Sequence, residues 1–138
     1  MKLLYSLLFI PVVTFAGNCE QFFPFGTPKT NGIELCRIAY VTHYSKIEKL
    51  PIFSAELLIP ENLNGKHQKS NNFQEDPSLP QHLQVIEQDL ISSGFDRGHL
   101  APAEDMRQNS AALEQSFYMS NIVPQNPYMN RGAWKSLE

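Results

Sequence analysis

The chain has no surplus of positive charge; its formal net charge is −3. That excludes a protein that holds nucleic acid by bulk attraction, so any phosphate binding must come from a local cluster or a metal. Cysteine is scarce, with only Cys19 and Cys36. Two thiols cannot build a structural zinc site, and no histidine lies at ligand spacing from them. In an exported chain an even pair is expected to form a disulfide; the alternative is one buried thiol and one exposed. Arginine is absent from Pro60 to Ser93. There is no internal repeat and no low-complexity tract. The apolar run Leu3–Phe15 is shorter than the roughly 20 residues of a membrane span and is broken by Pro11.

What is present reads as one globular domain: 138 residues, 42% of them hydrophobic and 18% charged, leave no room for two domains of ordinary size. Lys2, the apolar run and Thr14-Phe15-Ala16 read as a secretory signal cleaved after Ala16. Residues 1–16 are therefore expected to be a signal peptide and residues 17–138 the domain. That implies export to the periplasm or the outside, with no stable membrane association after cleavage.

Residues 17–34 are rich in Gly, Pro, Phe and Asn and read as an extended, turn-rich lead-in. Leu35 to Tyr44 carries β-branched and aromatic residues and predicts a strand; Ile52 to Ile59 predicts a second, giving an antiparallel hairpin. Pro60 to Pro80 reads as a long polar loop with Asn64-Gly65 as a turn. Gln81 to Ser92 predicts a short helix, its apolar face made by Leu83, Ile86, Leu90 and Ile91. Phe95 to Ala101 is expected to be extended, and Asn109 or Ser110 to cap a helix through Ser116. Phe117 to Val123 predicts a strand stopped by Pro124, and a final helix is expected to begin near Asn130.

The informative segment starts at Asp96-Arg97-Gly98-His99. It is followed by Leu100-Ala101-Pro102, then by Phe117-Tyr118-Met119-Ser120-Asn121, Pro124-Gln125, Asn130, Trp134 and Leu137-Glu138. This ordered series resembles the DNA/RNA non-specific endonucleases, a family of ββα-metal nucleases. It covers about a third of the chain densely. The front half matches more loosely, through the cysteine-flanked start, the two strands and the Asn72–Pro77 stretch.

The resemblance implies an α+β fold, an antiparallel sheet core carrying a ββα-metal (His-Me finger) site, with its C-terminal part missing. It implies a metal-dependent endonuclease that hydrolyses DNA and RNA without strong sequence specificity, leaving 5′-phosphate and 3′-hydroxyl ends. DNA and RNA are then the substrates; Mg²⁺ is the expected cofactor, with Mn²⁺ as the alternative. A neutral imidazole suits removal of a proton from water near neutral pH, since its unperturbed pKa is about 6.5, which makes His99 the expected general base. Gly98 before it would allow close approach of backbone or substrate.

Magnesium favours oxygen ligands and keeps several waters, so one protein oxygen can hold it; the resemblance puts that role on the Asn130 side chain, whose other reading is a helix cap. Glu138 would hold metal-bound water. Asn121 would orient groups around His99 and the metal waters, or satisfy backbone groups beside Pro124, and Arg97 would either stabilise phosphate charge or pair with a carboxylate. Asp96 reads as an orienting residue. Arg131 and Lys135 could touch the nucleic-acid backbone or simply form a solvated face. His43, His67 and His82 read as structural or exposed.

Two features depart from the family pattern. An arginine expected upstream of the DRGH element is missing, and Lys66 and Lys69 are the nearest cations, which supply charge without the guanidinium fork. The chain also stops at Glu138, so it is expected to be poorly stable and weakly active by itself. The rival readings are a catalytically weakened nuclease-like nucleic-acid-binding fragment, and a metal phosphodiesterase for small diesters.

Overall fold

The computed structural model describes residues 19–68 and 71–137. The signal-peptide reading, Lys69 and Glu138 lie outside the described residues. Two antiparallel sheets carry the fold. The first has strand order β1 (Ile33–Cys36), β2 (Tyr40–Tyr44), β3 (Pro51–Glu56). The second pairs β4 (Asp96–His99) with β5 (Ile122–Gln125). Helix α1 (Ser110–Ser116) lies in the long connection between β4 and β5. Helix α2 (Pro127–Met129) follows β5 and continues as a wider π-type turn, Asn130–Trp134, kinked at Gly132. The class is α+β.

Strand β2 is the centre of the molecule. All five of its residues are buried, as suits a β-branched and aromatic strand flanked on both sides and covered on both faces. Three apolar clusters meet it. Tyr40 packs with Ala101, Met106, Leu113 and Phe117. Val41 packs with Cys19 and Phe22, and Tyr44 with Leu35 and Leu79. The Cys19–Cys36 disulfide forms, as the even cysteine pair predicts.

The single strand expected over Leu35–Tyr44 is in fact two, β1 and β2, folded against each other with Cys36 opposite Val41. No Gly, Pro or Asn marks the turn at 37–39. Distant partners hold it instead: the Arg37 guanidinium pairs with buried Asp76 and donates to Ser78 Oγ at 2.8 Å, and the Ile38 N–H donates to Gln115 Oε1 at 2.9 Å. Strand β3 ends at Glu56 rather than Ile59, because its partner runs out at Tyr40.

The helix expected over Gln81–Ser92 is replaced by two 3₁₀ turns, Gln81–Leu83 and Glu87–Asp89. Of its predicted apolar face only Leu83 is buried, while Ile86 and Ile91 are exposed. A helix this short needs tertiary packing, and here the Gln84 side chain instead bonds Asp76 O and Leu79 O.

Between Phe117 and Val123 the chain makes a bridge at Tyr118, a 3₁₀ turn over Met119–Asn121, and only then β5. Pro124 does not stop that strand but sits inside it, opposite Arg97. A strand with a single partner directs alternate N–H groups away from it, where proline loses no ladder bond. Asn109 caps α1 as expected, its Oδ1 accepting from Ala111 N at 2.9 Å and Ala112 N at 3.1 Å. The last helix starts three residues earlier than expected, with Asn126 as its cap. Asn130 is therefore inside the helical segment, not at its start.

Candidate active site

Strands β4 and β5 and the helical segment that follows run in ββα order, and Asn130 and Arg131 tie that segment to Asp96 of β4. A cleft of about 690 Å³ opens beside it, and its lining includes Asn71, Phe73, Arg97, His99, Asn130 and Lys135. His99 is the last residue of β4 and is half-buried. Two aromatic rings hold its imidazole: Phe117 at 5.0 Å, edge-on, and Phe73 at 5.7 Å. Contacts of this kind define ring orientation. The glycine before it is required for a reason the sequence does not show. A Cβ at Gly98 would stand 2.1 Å from the Gln125 side chain, which is buried across the β4–β5 pair. The close approach comes from Gln125.

Asn130 faces the same cleft from the helical side, and Asp96 sets its orientation. Asn130 Nδ2 donates to Asp96 Oδ2 at 3.0 Å. A carboxylate only accepts, so the amide nitrogen must face Asp96, and the carbonyl Oδ1 is left for another partner. Asp96 is also gripped by Arg131, with Nε on Oδ2 at 2.7 Å and Nη2 on Oδ1 at 2.5 Å. The Arg131 hydrogen bond, then that from Asn130, holds the Asp96 carboxyl below the usual carboxylate range. Asp96 is thus the orienting residue expected of it.

Arg97 also lines the cleft. Its guanidinium pairs with Glu87 and lies 4.3 Å from the centre of the Phe73 ring. Of the two roles open to it, the carboxylate pair is the one formed. Neither Phe73 nor Glu87 stands out in the sequence as a site residue; only the fold brings them to Arg97.

Asn121 is placed differently from expectation. It is fully buried and does not line the cleft. Its Oδ1 accepts from Ala101 N at 3.0 Å and Ser54 Oγ at 3.3 Å, while Nδ2 donates to Ala101 O and Ser116 O, each at 2.9 Å. It fastens the segment that follows His99 to β3 and to the end of α1. Glu138 lies outside the described residues.

Lys66 lines a separate, smaller pocket with His67 and Arg107, so it does not replace the missing arginine beside His99. His43 is structural: buried, stacked on Phe53 and bonded to Thr30 Oγ1 at 2.8 Å. His67 and His82 are exposed.

Among the described residues, no three His, Cys, Asp or Glu side chains converge as metal ligands. What the cleft does offer is Asn130, whose amide oxygen is not the atom engaged by Asp96. That donor set fits a hard divalent cation that keeps most of its waters, and does not fit a closed zinc site.

Residues 18–138 match the family model described as DNA/RNA non-specific endonuclease. The chain belongs to this family. Bovine (Bos taurus) mitochondrial Endonuclease G is 34% identical over 130 residues, covering 94% of this chain and 43% of the relative. Nuclease C1 of Cunninghamella echinulata var. echinulata is 36% identical over 125 residues, covering 88% of this chain and 50% of the relative. A chain in the crystal structure of the EndoG/EndoGI complex superposes with a TM-score of 0.79 at 26% identity, covering 90% of this chain and 52% of that one. The chain thus spans about half the length of the relatives it matches, or less. The ββα-metal nuclease fold follows, and membership of a metal-dependent nuclease family implies a divalent metal.

The expected export is corrected by the same relatives. Endonuclease G, Nuclease EXOG of Danio rerio and Nuclease 1 of Schizosaccharomyces pombe are all named mitochondrial, which runs against the expected periplasmic or secreted location. The expectation rested on Lys2 and the apolar run Leu3–Phe15, a local pattern that does not identify the machinery that reads it.

Proposed function

We propose that this chain is the catalytic part of an Mg²⁺-dependent endonuclease that hydrolyses phosphodiester bonds in DNA and RNA without strong sequence preference. The observation that supports it most is the meeting of His99, at the end of β4, and Asn130, in the helical segment after β5, on one cleft. His99 takes the proton from the attacking water, its ring held in place by Phe73 and Phe117. Asn130 would hold the cation through Oδ1, since its Nδ2 is taken by Asp96. A divalent cation there would supply Lewis-acid stabilisation to the phosphoryl oxygen and to the leaving 3′ oxygen, which accords with 5′-phosphate products.

Arg97 and Lys135 place positive charge on the cleft wall, compensating locally for a net-negative chain. Arg97 is shared with Glu87, so its help to a phosphate is smaller than that of a free guanidinium. Glu138 would hold metal-bound water, and Asn121 would act through the backbone that positions His99.

Digestion of plasmid DNA and of RNA with Mg²⁺, with and without EDTA, tests the reading. Wild type should cleave both. His99→Ala should lower the rate by about 10²–10⁴-fold, the usual worth of a positioned base. Undiminished cleavage by His99→Ala would overturn the role of His99. Binding without cleavage by the wild type would point instead to a nucleic-acid-binding fragment.

A further inference from the structure

A cation at Asn130 would have an anionic neighbour. The Asp96 carboxylate lies on the same cleft, in contact with the Asn130 amide. A hard divalent ion prefers a carboxylate oxygen to a neutral amide oxygen, so Asp96 is a stronger potential ligand than the residue it orients. Arg131 stands in the way of that exchange. Its fork engages both oxygens of Asp96 at 2.7 and 2.5 Å, in the bidentate geometry that matches guanidinium to carboxylate. The Arg131 side chain is 73% exposed while that of Asp96 is 15% exposed. The arginine therefore closes the open side of the carboxylate like a cap.

We propose that Arg131 is a positioning residue that withholds the Asp96 carboxylate from the cation, so that Asn130 Oδ1 remains the protein ligand and the other coordination positions stay open to water and substrate. The inference rests on the reading of Asn130 as the cation's ligand. It assigns Arg131 to the cation site instead of the nucleic-acid backbone, and leaves Lys135 and Arg97 as the cations of the cleft wall. Removing the fork should produce two opposite effects. The cation should bind more tightly, because a carboxylate becomes available and a nearby positive charge is lost. Turnover should fall, because the extra ligand occupies a position that water or phosphate needs.

The experiment measures Mn²⁺ binding to the full chain in the absence of nucleic acid, by electron paramagnetic resonance or calorimetry, alongside cleavage kinetics and a thermal melt. Arg131→Gln should bind Mn²⁺ about three- to tenfold more tightly, the range expected from one partly screened charge. Its kcat should drop with little change in KM for nucleic acid. Arg131→Lys, which keeps the charge but not the fork, should fall between the two. Adding Asp96→Asn to Arg131→Gln should abolish the gain in affinity.

Unchanged or weaker Mn²⁺ binding by a folded Arg131→Gln chain would overturn the proposal, as would a gain that persists with Asp96→Asn. A raised KM with unaltered Mn²⁺ affinity would also overturn it, and would show Arg131 to be a phosphate contact. If wild type binds Mn²⁺ and cleaves but the Arg131 variants leave Mn²⁺ affinity unmoved, this inference alone fails. If wild type binds no Mn²⁺ at all, the reading of Asn130 fails with it.

Discussion

An asparagine side chain carries two donors and a carbonyl with two lone pairs, and the two site asparagines use them in opposite ways. Asn121 commits both its donors and both lone pairs to Ala101, Ser116 and Ser54. Among the described residues, the Asn130 side chain donates to Asp96 through Nδ2, which leaves its carbonyl outside that contact. Both are the same residue type in the same motif, so composition and spacing could not separate them. Burial does: Asn121 is fully enclosed, and Asn130 borders a cleft. Asn121→Ala would leave the buried groups of Ala101 and Ser116 without their partner, each loss costing about 1–3 kcal/mol. The expected outcome is a stability loss of roughly 3 kcal/mol in urea denaturation, with any fall in cleavage following from displacement of His99. A change under 0.5 kcal/mol would contradict this account, since that is about the effect of an ordinary surface substitution.

The elements that formed as expected are those whose signals are local. Asn109 caps α1 because a short acceptor reaches back to the first free N–H groups. The β2–β3 hairpin follows from two apolar runs around a polar turn. The elements that departed depend on partners far along the chain. The reversal at 37–39 is held by Asp76 and Gln115, and in the 81–92 segment Gln84 bonds Asp76 O and Leu79 O while Ile86 and Ile91 stay exposed.

The Cys19–Cys36 link is also an element-scale constraint. It joins the first 3₁₀ turn, Cys19–Phe22, to the end of β1 across 17 residues of sequence separation. A loop of that length restricts the unfolded chain enough to contribute about 3 kcal/mol. Urea titration of the chain with and without reductant should show a loss of that order, reproduced by Cys19→Ser with Cys36→Ser. Coincident curves would show that the link does not constrain the unfolded chain.

At the scale of the whole molecule, a cavity of about 360 Å³ lies at the end of β3, between the start of the described chain and the segment before α1. Glu56, the last residue of β3, lines it together with Phe22, Ile38, Met106 and Asp105. Burial, with a smaller contribution from the Asp105 charge, pushes the Glu56 carboxyl up from its ordinary 4.5 to about 7. The folded chain therefore binds this proton more tightly than the unfolded chain. Its contribution to stability is fully present below pH 4.5 and is lost as pH rises through about 7. The melting temperature should fall between about pH 5 and about pH 8, and Glu56→Gln, which cannot ionise, should flatten that slope. An identical slope in the variant would exclude Glu56 as its source.

Sequence alone determined the family: the ordered residues from Asp96 to Glu138 carry the resemblance that the family match bears out, and local capping and apolar patterns mark α1 and the β2–β3 pair. Only the tertiary structure decided which polar group faces the cleft and which is consumed by the framework. That choice depends on contacts between residues far apart in the chain, such as Asp96 with Arg131, Arg97 with Glu87, and Asn121 with Ala101. The energy of a polar side chain is set by whether water or a protein partner satisfies it, and that is known only once the chain has folded.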